Sequence, residues 1–91
     1  MDKIANVVVQ MKVLPEGIEV DLNKLQEQIK DVLPENIGIY KVVEEHIAFG
    51  LKCLKVTIIM PEAEGGTDPI ENMISSIKDV SRVEVELVSR M

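Results

Sequence analysis

Ninety-one residues, 46% hydrophobic and 29% charged, leave room for one soluble domain over residues 1–91, because chains this short bury only about 60 to 65% of their unfolded surface. Ten Lys and Arg against sixteen Asp and Glu give a formal net charge of -6; the cations are scattered, which argues against nucleic acid and for a partner with a basic surface. The single cysteine excludes an internal disulfide or CxxC metal site, no apolar run approaches the roughly 20 residues that span a bilayer, and "MDKIANVVVQ" lacks the pattern of a signal peptide, so a cytoplasmic protein is expected.

From Ile4 to Val13, the residues Ala5, Val7, Val9, Met11 and Val13 alternate with Asn6, Gln10 and Lys12, interrupted only by Val8, the period of a half-buried strand. "LPEGIEV" breaks that pattern. Asp21 then stands as the cap of a helix whose apolar residues Leu22, Leu25, Ile29, Val32 and Leu33 recur every three or four positions. Val20 and Leu25 suit a hydrophobic staple, and Pro34 closes the helix. Ile37 to Ile47 and Leu51 to Met60 read as neighbouring antiparallel strands around the "AFG" break, with Leu54, Val56, Ile58 and Met60 on one face. A second helix is expected from Asp68 as cap, Pro69 at the first helical position and Glu71 completing a capping box; Ile70, Met73, Ile74 and Ile77 form its buried stripe. Alternation returns from Arg82 to Val88, with Val83, Val85 and Leu87 opposite Glu84 and Glu86.

"IKDV" occurs at Ile29 to Val32 and again at Ile77 to Val80, each time read as a helix end before a strand, and a "PE" pair lies between first strand and helix in both halves. The order strand, helix, strand, strand, helix, strand predicts an α+β fold. It is a two-layer α/β sandwich of ferredoxin-like βαββαβ topology, with a four-stranded antiparallel sheet and two helices on one face. The other face, carrying Asn6, Gln10, Lys55, Thr57, Glu84 and Glu86, is expected to meet water or a partner.

Few residues offer chemistry. His46 beside Glu45 is the one histidine; a proton relay needs such a pair, but a surface strand histidine explains it equally and more simply. Without a second histidine or a nearby nucleophile, neither a zinc site nor a triad has material. Cys53 reads as a small apolar strand residue. "EGG" at Glu64 to Gly66 precedes a helix but fits no phosphate-loop spacing. Tyr40 alone makes no base-stacking platform of the kind single-stranded RNA needs, and Glu44, Glu45, Asp31 and Asp79 read as solvated carboxylates. No cofactor, metal or catalytic residue is expected.

Phe49, the only phenylalanine, falls in the break between two strands. Two readings stand: a ring folded back to plug the core, or an anchor presented to a partner. Gly50 beside it frees the backbone for a turn or a close approach.

The stretches "VVVQMKVLPEG", "VDLNKLQEQIK", "EEHIAFGLKCLKV", "EGGTDPIE" and "VEVELVSR" together resemble the archaeal translation elongation factor 1-beta family over essentially the whole chain, "IAFGLK" being the most specific piece. The resemblance implies a ferredoxin-like guanine nucleotide exchange factor that acts by binding, without catalysing bond changes, on the GTPase elongation factor 1-alpha. It implies that Phe49 packs into the GTPase and that Gly50 permits the turn. Eukaryotic relatives carry a lysine near the C-terminal end that disturbs the magnesium and phosphate region of the GTPase; here the penultimate residue is Arg90, a planar fork in place of a point charge. Lys52, two residues past Gly50, is a further basic candidate, with a solvated strand lysine as its other reading. A different class remains in view: a small-ligand-binding or regulatory ferredoxin-like domain that dimerises through its sheet.

Overall fold

The computed structural model describes residues 6–48, 50–62 and 66–90. The elements follow in the order β1 (Asn6–Pro15), α1 (Leu22–Val32), β2 (Gly38–Ala48), β3 (Leu51–Pro61), α2 (Asp68–Ser75) and β4 (Val80–Arg90). The four strands form one sheet in the order β2-β3-β1-β4, and every neighbouring pair is antiparallel. This is the ferredoxin-like α+β arrangement expected from the element order.

Alternation decides which face of each strand is covered. Val7, Val9, Met11 and Val13 of β1 and Leu54, Val56, Ile58 and Met60 of β3 are all buried. They meet Leu25 and Ile29 of α1 and Ile70 and Ile74 of α2 in one apolar cluster, so both helices lie against the same sheet face. Each large aliphatic side chain fully buried there contributes roughly 1.5 to 3 kcal/mol.

Helix α1 begins as its residues suggest. The Asp21 carboxylate accepts from the backbone N–H of Asn23 at 2.9 Å and of Lys24 at 3.4 Å, satisfying donors that the first turn leaves without partners. Leu33 ends the helix in extended conformation, as the residue before Pro34 must. Val20 and Leu25 both pack on the core, consistent with the staple.

Helix α2 departs from expectation at both ends. Its cap is Thr67, one residue earlier than Asp68, and the Thr67 hydroxyl donates to Glu71 at 3.0 Å. Asp68 instead joins the first turn, where its charge opposes the positive end of the helix dipole. The helix stops at Ser75, so the two "IKDV" copies are not equivalent: Ile29 to Val32 forms the last turn of α1, whereas Ile77 to Val80 is a turn leading into β4. Ile77 and Val80 are nonetheless buried, because a turn can seal the core as well as a helix can.

Strand β4 carries a register shift opposite Gln10 and Met11 of β1. Met11 pairs with Val85 and Gln10 with Leu87, which leaves Glu86 as an extra residue and turns Leu87 to the uncovered face, 52% exposed. The expectation that Leu87 joins Val83 and Val85 on the core face is therefore corrected; a β-bulge breaks the period-two rule locally.

Candidate functional site

The uncovered sheet face is charged and internally paired. Lys55 of β3 lies 3.1 Å from Glu45 of β2 and 3.6 Å from Glu86 of β4, and Glu86 lies 3.9 Å from Lys12 of β1. The ladder thus crosses all four strands, and Glu45, then Glu86, hold the Lys55 ammonium above its ordinary pKa. Cys53 is fully buried, and that burial raises its thiol pKa, so it stays protonated and poorly nucleophilic at neutral pH. His46 is exposed, while Glu45, its neighbour on the alternating strand, is occupied by Lys55; no relay forms between them. Among the described residues no three His, Cys, Asp or Glu side chains are grouped to hold a metal ion.

The β2–β3 hairpin is a two-residue connection, with Ala48 paired to Leu51. Phe49 lies outside the described residues. Gly50 has φ 80°, a left-handed conformation that side-chain-bearing residues adopt at a cost of roughly 1 to 2 kcal/mol. A Cβ built on Gly50 meets nothing within 4 Å, so the demand for glycine is one of backbone strain and not of space. Gly50→Ala is therefore expected to lower stability by about 1 to 2 kcal/mol, and Gly50→Asn by less. Urea unfolding checks this, and an alanine variant as stable as the parent would contradict the strained turn.

Beside this turn the loop from β1 to α1 and the hairpin enclose an open cavity of about 350 Å³, with Ile18, Asp21, Glu44, Gly50 and Lys52 among its walls. Lys52 pairs with Glu44 at 3.7 Å, both side chains largely in water. Ile18, 70% exposed, was not singled out from the sequence; its only signal is an apolar residue standing between Gly17 and Glu19, outside any helical or strand period.

Arg90 is at the other end of the sheet. Val13 pairs with Leu54 near the hairpin, whereas Val7 pairs with Met60 and with Arg90. Ten residues of strand separate Gly50 from the level of Arg90, on the order of 30 Å. The structure brings Gly50 and Lys52 together and sets Arg90 apart from them. Its guanidinium grips Glu62 through two bonds of 2.7 Å each, a partner that the sequence reading did not assign.

The family model described as "EF-1 guanine nucleotide exchange domain" matches residues 8–91, and so takes in every element from the third residue of β1 through β4. The chain belongs to the elongation factor 1 guanine nucleotide exchange family. It is 51% identical over 89 residues to Elongation factor 1-beta of Staphylothermus marinus, covering 97% of this chain and 99% of that one. The corresponding protein of Desulfurococcus amylolyticus is 49% identical with the same coverage, and that of Methanothermobacter thermautotrophicus is 42% identical over 88 residues.

Proposed function

We propose that this protein promotes GDP release and GTP loading on translation elongation factor 1-alpha, acting by binding as a single cytoplasmic domain over residues 1–91. Membership of the exchange family across residues 8–91 is the observation that carries this reading. A GTPase holds GDP through its phosphate loop and a magnesium ion. An exchange factor weakens those contacts by binding the nucleotide-free GTPase more tightly than the GDP-bound one, and by reciprocity the nucleotide weakens the factor's own grip.

In this reading Phe49 is the apolar anchor, Gly50 permits the turn that presents it, and Lys52 stands beside them as a second contact. Arg90 is the cationic element at the far end. A separation on the order of 30 Å means that the two ends touch different parts of the GTPase. Nucleic acid and membrane are not partners here, and no cofactor is needed.

The test is release of a fluorescent GDP analogue from elongation factor 1-alpha of the same source, chased with excess nucleotide. Acceleration that rises and saturates with protein concentration is expected. A folded protein that leaves the release rate of an active GTPase unchanged would overturn the proposal.

A further inference from the structure

Arg90 is not idle in the free protein. Its Nε donates to Glu62 Oε2 and its Nη2 to Glu62 Oε1, both at 2.7 Å. The Nε–Nη2 edge is one of the two on which a guanidinium makes two parallel bonds with a carboxylate or phosphate, and Glu62 occupies it. Both residues stand at the end of ordered strands: Glu62 directly follows β3, and Arg90 closes β4 in register with Val7. Val7, Met60, Pro61 and Val88 line a cavity of about 120 Å³ at the same corner, so apolar walls stand beside Glu62. Among the described residues, this is the one ion pair in which a single cation engages both oxygens of its partner.

We infer that Glu62 is a clasp that holds the recognition edge of Arg90 in reserve, and that docking on the GTPase replaces Glu62 by an oxyanion of the complex. This rests on the exchange reading, in which Arg90 meets the partner. The clasp is built to open: the Arg90 side chain is 73% exposed and that of Glu62 42%, and exposed ion pairs are weak enough to exchange partners at small cost. A preorganised anion in the complex outcompetes one flexible carboxylate. Glu62 is therefore a positioning residue, acting on the partner only through Arg90.

Glu62→Gln keeps the shape and removes the charge. It is expected to strengthen binding to elongation factor 1-alpha about threefold at low ionic strength, with GDP release at subsaturating protein rising in step and the gain shrinking as salt is added. Glu62→Asp, whose shorter arm reaches less well, should give a smaller gain. In an Arg90→Gln background the gain should vanish, and Glu27→Gln, which removes the same charge from the exposed side of α1, should produce none. A gain seen only with GDP-loaded GTPase identifies the oxyanion as a nucleotide phosphate; a gain with loaded and nucleotide-free forms alike identifies a carboxylate of the GTPase. If parent protein accelerates release but Glu62→Gln binds no better, or its gain survives without Arg90, the clasp is wrong and the exchange reading stands. If the parent protein itself has no effect on release, the exchange reading falls and the clasp with it.

Discussion

Phe49→Ala is expected to reduce exchange on elongation factor 1-alpha by roughly 30-fold at subsaturating protein, the effect of losing about 2 kcal/mol of a buried aromatic anchor. The expectation rests on the proposed exchange function, in which Phe49 is the anchor and Gly50 permits its turn. Ala48 closes β2, Leu51 opens β3, and Gly50 adopts φ 80° between them, a conformation that glycine takes without the steric cost a side chain would bring. In that role, Phe49→Ala should leave the fold almost untouched, within about 1 kcal/mol, and Phe49→Leu should recover part of the activity because apolar area persists. Stability and exchange are measured on the same preparations. A loss of about 3 to 5 kcal/mol, the cost of emptying a core site of phenylalanine, accompanied by undiminished exchange would return Phe49 to the core and remove the anchor.

Much of the fold was legible because it is written locally. The alternation in Val7, Val9, Met11 and Val13 and the spacing of Leu25 and Ile29 place each side chain on the buried face regardless of distant residues. Asp21 could be assigned as a cap because its hydrogen bonds reach only two and three residues ahead. The errors lie where neighbours far along the chain decide. Thr67 and Asp68 are both good caps by residue type, and which one serves depends on how the chain enters α2. "IKDV" is helical in one copy and a turn in the other because helix length is set by packing as well as by composition.

The candidate site divides in the same way. Gly50 announced a turn, and its left-handed φ agrees. The Glu62–Arg90 grip joins residues 28 apart, and the ladder through Glu45, Lys55, Glu86 and Lys12 joins four strands; no periodicity records either. Both follow only once antiparallel register is fixed.

Leu54 and Leu87 provide the second large test, because simple alternation puts both on the core face and the bulge separates them. Leu54 is fully buried in β3, paired with Val13 of the central strand β1, with no solvent-facing route for the structure to relax into a void. Leu54→Ala should therefore cost about 2 to 5 kcal/mol, a large share of the roughly 5 to 15 kcal/mol that holds a small domain folded. Leu87, opposite Gln10 and half in water, should lose less than about 1 kcal/mol as alanine. Its neighbour Glu86 reaches Lys12 and Lys55 from the same bulge, so the irregularity places an acid on the ladder and a leucine above the open face together. Urea denaturation of the two variants decides the point. Equal losses would mean that β4 keeps its period through Glu86 and that Leu87 belongs to the core, whereas a difference of about 2 kcal/mol or more is the energetic signature of the bulge.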